Sequence, residues 1–296
     1  MKSKVWFITG SSQGLGKSLA KTILAQGDKV IATARNINDL NDLDQYPKEN
    51  ILKLTLNVRD QKQIYQAIND SISHFGRIDV LVNNAGFGIT GAAESFSDEQ
   101  VIDQLETNLY APIELSRAVI PHMRHQGSGH ILQISSIGGR VASTGLSIYQ
   151  AAKFGLSGFS EALQRELAPL GITVIAVEPG GIKTQWSGNS MGYADSPDIY
   201  EDIQTRVSTY KRGQFVPVGD PDKMAKVIID LIDHPKPPVH LVLGSDAVGV
   251  LQNGMSMREA ELKEWLSVSV STDTETQTDV NFIDIQALPT QQVSEI

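Results

Sequence analysis

The sequence contains no cysteine, which excludes disulfide bonds, thiolate nucleophiles and cysteine-ligated metal sites. It also contains no apolar run that is long enough to span a bilayer. The first eight residues have a charged start, and their apolar run is too short for a signal peptide because a glycine turn interrupts it. We therefore expect a cytoplasmic protein that has no membrane partner.

Positive charge is also scarce, since 25 Lys and Arg stand against 34 Asp and Glu and give a formal net charge of −9. This balance argues against a nucleic-acid partner, whose phosphates need a basic face. An anionic cofactor is still possible, because backbone N–H groups and one local arginine can bind it. The six histidines show no metal-ligand spacing with carboxylates, so we predict that no metal is bound.

Short apolar segments rich in Val and Ile alternate along the chain with helical patterns. Seven segments have the character of buried strands: residues 5–9, 30–34, 51–58, 80–82, 131–134, 174–177 and 239–243. Between them, stripes such as Leu15, Leu19 and Ile23 repeat at the four-residue spacing of a helix face. This alternation predicts an α/β fold, a doubly wound parallel sheet of Rossmann type with helices on both faces.

Two regions depart from the pattern. Residues 184–215 are polar and aromatic, and either a lid over a site or an excursion of short helices explains them equally well. From Val268 onward the chain is rich in Ser, Thr, Gln and acids, and it contains no Lys or Arg. We therefore expect one domain over residues 1–267 and a flexible acidic tail over 268–296, with a strand or partner-binding segment at 280–285 as the alternative.

A glycine-rich turn follows the first predicted strand and opens the first predicted helix. It comprises Gly10, Ser11, Ser12, Gln13, Gly14, Leu15 and Gly16. Glycines let the backbone turn tightly and approach a pyrophosphate, and the helix N-terminus supplies free N–H groups and a favourable dipole. The strand–turn–helix context favours dinucleotide binding over a plain turn.

The end of the second strand indicates which dinucleotide is bound. A carboxylate there would bind an adenosine ribose and repel a 2′-phosphate, but the chain has Ala34 and Arg35. The planar fork of Arg35 can pair with a phosphate, and Ser11 and Ser12 can donate hydroxyl groups. We expect NADP rather than NAD, unless Arg35 is a solvated surface residue.

Tyr149 and Lys153 lie four residues apart, a spacing that puts both on one helix face, with Ser136 upstream. A nearby ammonium favours phenolate, so we expect Lys153 to lower the pKa of Tyr149 and to make it a proton donor and acceptor. Tyr-x-x-x-Lys alone also occurs on ordinary helix faces. The glycine turn makes that interpretation unconvincing here.

Together these motifs resemble the short-chain dehydrogenase/reductase family over about residues 1–250. Residues 83–86 (Asn-Asn-Ala-Gly) resemble the motif that closes the fourth strand of the family, and residues 179–184 resemble its Pro-Gly turn beside the nicotinamide. Asn57 stands where many members have aspartate at the adenine amine. Gln13 stands where some NADP-using members have a basic residue.

The resemblance implies an NADP(H)-dependent oxidoreductase that transfers hydride between nicotinamide and a carbonyl or secondary alcohol. It implies that Ser136, rather than its neighbour Ser135, binds the substrate oxygen and that Tyr149 is the general acid/base. It also implies that Tyr149 and Lys153 contact the cofactor, Lys153 at the nicotinamide ribose. Asn108 would hold a water that relays protons, or would only satisfy a neighbouring segment. The remaining cofactor-binding residues that it implies are Val58, Asn84, Ala85, Gly86, Pro179, Gly180, Ile182 and Thr184.

The expected substrate wall is mostly apolar and favours a hydrophobic ketone, aldehyde or alcohol. It comprises Phe87, Ile137, Gly138, Arg140, Val141, Ile182 and residues 186–210. Arg140 would bind an acidic substrate group, cap a helix or face solvent. Two other functions stay open, a sugar-nucleotide epimerase or dehydratase and a catalytically silent NADP-binding regulator. By analogy with the family, the helices around residues 98–124 and 149–170 would form a homodimer or homotetramer.

Overall fold

The computed structural model describes residues 3–184 and 191–273. Its strands are β1 (Val5–Ile8), β2 (Lys29–Ala34), β3 (Ile51–Thr55), β4 (Val80–Asn83), β5 (Gly88–Thr90), β6 (Gly129–Ile134), β7 (Ile172–Pro179), β8 (Met191–Tyr193) and β9 (His240–Leu243). Its helices are α1 (Gly14–Ala25), α2 (Gln61–Phe75), α3 (Asp98–Leu105), α4 (Ala111–Gln126), α5 (Ser147–Leu167), α6 (Glu201–Lys211), α7 (Pro221–Leu231) and α8 (Ser245–Val270).

Seven strands form one parallel sheet in the order β3-β2-β1-β4-β6-β7-β9. The predicted doubly wound fold is confirmed, and each of the seven predicted strands is present. The strand order reverses between β1 and β4, because the chain first winds outward from β1 to β3 and then returns to the other side. In folds of this type, a crevice opens at that point beyond the carboxyl ends of the strands.

A hydrophobic layer covers each face of the sheet. On one face, Leu19 and Ile23 of α1 and Ile228 of α7 pack in one buried cluster with the strands. On the other face, Ile68 of α2 and Leu163 of α5 belong to a second buried cluster. Burying each such side chain contributes about 1.5–3 kcal/mol, so the helices hold the sheet rigidly from both sides.

The region from 184 to 215 contains more regular structure than its sequence suggested. Strands β5 and β8 pair in parallel as a separate two-stranded sheet, and helix α6 follows. Neither strand was predicted, because three residues are too few to display a period. Trp186, an expected wall residue, lies outside the described residues.

The chain divides into two units, Met1–Leu251 and Gln252–Ile296. Helix α8 ends at Val270, three residues into the segment predicted as a tail from Val268. The rest of that predicted tail from residue 274 onward, with its alternative strand at 280–285, lies outside the described residues. None of the helices in the described ranges is long and apolar enough to cross a membrane.

Candidate active site

A cleft of about 1000 Å³ lies at the carboxyl ends of the central strands. This volume is at the upper end of the range for sites that bind cofactors or drug-sized ligands. The cleft brings together most of the predicted site residues: Gly10, Ser12, Gln13, Gly14, Leu15, Arg35, Asn57, Val58, Asn84, Ala85, Gly86, Asn108, Ser136, Tyr149, Lys153, Pro179, Gly180, Ile182 and Thr184. Two predicted residues, Ser11 and Gly16, do not line it.

The glycine turn is held in place by the β4 end. Asn84 Nδ2 donates to the carbonyl oxygens of Thr9 at 2.9 Å and Gly10 at 3.1 Å. Gly10 has a φ of +68°, which favours glycine strongly over other residues. A Cβ on Gly16 would lie 2.4 Å from both Asn84 Nδ2 and Gly10 O. Gly16 therefore permits the close packing of the turn rather than contacting a ligand.

The start of α1 fits a bound pyrophosphate. The preceding residue, Gln13, does not cap the helix with its side chain, and the first turn contains no acidic residue. Backbone N–H groups of this first turn and the helix dipole are therefore available to an anion. A Cβ on Gly14 would meet the Thr184 side chain at 3.4 Å. The turn and residue 184 thus form the two sides of a narrow cradle.

The structure corrects the expectation that Ser11 donates its hydroxyl to a phosphate. Ser11 is buried, and its Oγ donates to the Ile8 carbonyl at 2.9 Å and accepts from the Thr33 N–H at 3.3 Å. The hydroxyl therefore ties the ends of β1 and β2 together. Ser12 lines the cleft instead.

Arg35 and Asn57 line the cleft just after the ends of β2 and β3. Arg35 follows β2, is exposed and forms no ion pair with a described residue. Asn57 Oδ1 accepts the Arg59 N–H at 3.2 Å. A carbonyl oxygen has a second lone pair, so this contact still leaves Asn57 able to accept from an adenine amine.

Ser136 and Tyr149 meet at the centre of the cleft. Ser136 follows β6, and its Oγ accepts the Gly138 N–H at 3.0 Å. The Ser136 side chain lies close enough to Tyr149 to lower the pKa of its hydroxyl by hydrogen bonding. Ser135 faces the other way, where its Oγ lies 2.9 Å from Ser157 Oγ and 3.3 Å from the carbonyl oxygen of Lys153. The alternation along the strand thus separates the two serines as expected.

The structure corrects the expectation that the phenol is acidified. Burial raises the pKa of Tyr149 to about 12, against the lowering effect of the Ser136 hydrogen bond, and Tyr210 raises it further. Lys153 does not offset this increase in the pKa of Tyr149. Its Nζ lies 5.8 Å from the centre of the Tyr149 ring and donates to the Ile134 carbonyl at 2.8 Å. Tyr149 therefore keeps its proton at neutral pH.

Lys153 is itself perturbed by burial. Only 5% of the residue is exposed, and burial lowers its pKa to about 8. A Cβ on Gly86 would lie 3.8 Å from Lys153 Nζ, so the ammonium lies beside the loop after β4. At neutral pH the group is mostly charged, and it places one positive charge close to the candidate proton donor.

Asn108 lies in a single π-helical turn, Glu106–Tyr110, between α3 and α4. It is fully buried, and its side-chain amide pairs with the Phe87 backbone in both directions, at 3.1 Å through Oδ1 and 2.8 Å through Nδ2. This pairing fixes the loop after β4, and the second N–H and the second lone pair of the amide still allow the water relay that the resemblance implies.

Behind the cleft, a fully buried carboxylate connects the elements that carry the site. Glu178 of β7 accepts from Arg140 Nη1 at 3.1 Å and from Ser157 Oγ at 3.2 Å, and it lies 2.8 Å from His240 Nδ1. Arg140 therefore pairs with Glu178 and does not line the cleft. No sequence motif marks this network, because its members are far apart along the chain.

The far end of the cleft, beyond Tyr149, is mostly apolar. Its apolar side chains are Phe87, Ile137, Val141, Leu146, Ile182 and Phe215, and Gly138 lies among them. Polar groups also lie there, namely Ser143, Gln150, Arg206 and Tyr210. Asp246 supports the Pro-Gly turn, since its carboxylate accepts the Gly181 N–H at 2.8 Å. Sequence reasoning missed Ser143, Gln150 and Asp246, which no recognisable motif marks.

Known proteins share this architecture. The family profile described as short chain dehydrogenase matches residues 4–191. Oxidoreductase BOA17 of Botryotinia fuckeliana is 39% identical over 275 residues, which are 91% of this chain and 99% of that protein. A crystal structure of a short-chain dehydrogenase from Streptomyces avermitilis is similar at a TM-score of 0.86 and 39% identity, covering 92% of this chain and 100% of that chain. The closed form of serine dehydrogenase complexed with NADP+ is similar at a TM-score of 0.70 and 26% identity, covering 81% of this chain and 94% of that chain.

Proposed function

The chain belongs to the short-chain dehydrogenase/reductase family, and we propose that it is an NADP(H)-dependent reductase of hydrophobic carbonyl compounds with Tyr149 as the general acid. One observation carries this proposal. Tyr149 lies with Ser136 and Lys153 in the cleft beyond the parallel strands. A scaffold that only binds a nucleotide has no need of this arrangement.

The bound nicotinamide supplies the hydride, and the protein supplies the proton and the geometry. Tyr149 protonates the alkoxide that develops on the substrate oxygen, and its raised pKa ensures that the proton is present at neutral pH. Ser136 Oγ accepts the Gly138 N–H, so its own proton can point to the same oxygen and stabilise the developing charge. Lys153 would bind the nicotinamide ribose, which is the role that the family resemblance implies.

The preference for NADP rests on the adenosine end of the cleft. Arg35 and Ser12 lie there, and the residues after β2 do not place a carboxylate where it would repel a 2′-phosphate. A planar guanidinium matches a phosphate in a bidentate manner. The NADP+ complex of serine dehydrogenase supports a nicotinamide dinucleotide as the cofactor.

The apolar end of the cleft supports a hydrophobic carbonyl substrate, and reduction is the direction expected with NADPH. Members of the family typically form oligomers and act on small molecules. The faces of α4 and α5 are the surfaces proposed for a homodimer or homotetramer.

The experiment is an assay of nicotinamide absorbance with the purified protein, NADPH or NADH, and a panel of aliphatic and aromatic ketones and aldehydes. Consumption of NADPH in proportion to a carbonyl compound, faster than consumption of NADH, is the expected result. Tight NADPH binding with no turnover on any member of the panel would instead favour a silent regulator.

A further inference from the structure

Within residues 3–184 and 191–273, one arginine at the substrate end of the cleft has no carboxylate partner. Of the three arginines that line the cleft in the described residues, Arg59 pairs with Asp103 and Glu106, and Arg35 lies at the adenosine end. Arg206 is half-buried, and its contact is a 3.5 Å approach of Nη1 to Ser143 Oγ, at the limit of a hydrogen bond. A guanidinium that lines the cleft with no carboxylate beside it can offer its planar fork to an anionic ligand.

Helix α6 holds Arg206 over the cleft. Ile203 and Val207 are buried in a small cluster with Ala92 and anchor one face of this helix. Arg206 and Tyr210, one turn apart, project from a neighbouring face and both line the cleft. Tyr210 contributes to the raised pKa of Tyr149, so this face lies near the candidate proton donor.

A polar strip fixes the position of Arg206 relative to the reacting centre. Gln150, which follows Tyr149 on α5, accepts the Ser143 N–H at 2.9 Å. Its Nε2 donates in turn to Ser143 Oγ at 3.2 Å, the same oxygen that Arg206 approaches. The contacts through Ser143 therefore place the guanidinium on the side of the cleft that Gln150, the chain neighbour of Tyr149, also lines.

Nothing described near Arg206 neutralises its charge. The acidic residues of the cleft lining are Asp103, which pairs with Arg59, and Asp246, which accepts the Gly181 N–H. Asp202 precedes Arg206 by one helical turn, yet the two form no ion pair within the described structure. The six residues 185–190 contain no Asp or Glu.

We propose that Arg206 binds a carboxylate of the substrate, so that the enzyme reduces an oxo acid whose carbonyl and carboxylate groups are joined by an apolar spacer. This inference rests on the proposed reductase function. One guanidinium supplies one bidentate pair and one charge, which match a carboxylate. A phosphate dianion would call for a second cation, but Lys153, the lysine of this lining, donates to the Ile134 carbonyl.

The experiment compares kcat/KM with NADPH for a series of straight-chain oxo acids and their methyl esters, which differ only in the charge. The wild-type protein is expected to prefer the acid roughly 10- to 100-fold at the best spacer length, the range of one charge-assisted pair. Arg206→Met should reduce the acid-to-ester ratio to near unity, Arg206→Lys should keep part of it, and Arg206→Glu should invert it. Arg212→Gln, at the exposed end of the same helix, is the matched control and should leave the ratio unchanged.

Equal kcat/KM values for acid and ester at every spacer length would overturn the inference and leave the reductase function standing. An unchanged acid-to-ester ratio in Arg206→Met would overturn it as well. A preference for oxoalkyl phosphates over the carboxylates would overturn the choice of carboxylate. If neither acids nor esters are reduced although NADPH binds, the proposed function fails together with the inference.

Discussion

Replacing Lys153 by methionine removes a buried ammonium at nearly constant volume. Burial lowers the pKa of Lys153 from its ordinary 10.5 to about 8. The folded protein therefore loses this proton at a lower pH than the unfolded chain does. Below pH 8 both states are protonated, and the native state bears the full cost of the buried charge. From pH 8 to 10.5 that cost disappears, so the free energy of unfolding rises with pH.

The magnitude follows from the size of the change in pKa. A pKa lowered from 10.5 to about 8 corresponds to about 3 kcal/mol, of which about 2–3 kcal/mol should appear between pH 7 and 10. Lys153→Met also leaves the Ile134 carbonyl without its donor, at a cost of about 1–3 kcal/mol that does not depend on pH. The difference in the free energy of unfolding between the two proteins therefore changes with pH only through the titration of the Lys153 ammonium.

The assay is urea unfolding without cofactor at several pH values from 7 to 10. Unfolding is monitored by the fluorescence of the three tryptophans. The stability of the wild type relative to Lys153→Met is expected to increase by about 2–3 kcal/mol across this range. Burial raises the pKa of Tyr149 to about 12, so in the folded protein this residue titrates above the pH range of the assay. Lys62→Met, an exposed lysine of α2, is the control. Parallel stability curves for wild type and Lys153→Met would refute the reasoning.

Two further changes test separate parts of the site. Arg35→Asp should shift the preference from NADPH toward NADH, because a carboxylate repels the 2′-phosphate. An unchanged ratio of the kcat/KM values for NADPH and NADH would mean that Arg35 only faces solvent. Glu178→Ala leaves Arg140 and His240 without their buried carboxylate, so the free energy of unfolding in urea should fall by about 3–5 kcal/mol. Glu259→Ala, which removes an exposed pair with Lys263, should cost less than about 1 kcal/mol, and an equal loss would contradict the role given to Glu178.

Features that depend on local pattern could be predicted from the sequence. Gly10 is glycine because its φ is +68°, and Gly16 because it packs against the Gly10 carbonyl oxygen, and both reasons operate within the turn itself. Tyr149 and Lys153 share a helix face because of the helical period alone. The strands of the central sheet are buried on both faces, so their apolar runs stand out.

Features that depend on contacts between distant parts of the chain could not be predicted. Ser11 looked like a phosphate ligand, but its hydroxyl is satisfied by backbone groups of β1 and β2. Arg140 pairs with Glu178, thirty-eight residues away. The pKa of Tyr149 depends on how deeply the phenol is buried and on where the Lys153 ammonium points, and spacing along a helix reveals neither.

The central claim is that the Tyr149 hydroxyl delivers the proton during hydride transfer, and a single-turnover measurement tests it most directly. A preformed complex of the protein with NADPH is mixed rapidly with a carbonyl substrate, and the loss of nicotinamide absorbance is followed for wild type, Tyr149→Phe and the exposed control Tyr65→Phe. We expect Tyr149→Phe to slow this step by about 100- to 10,000-fold, the contribution of a positioned general acid, while the Kd for NADPH stays within about threefold. A Tyr149→Phe rate close to that of Tyr65→Phe would contradict the account.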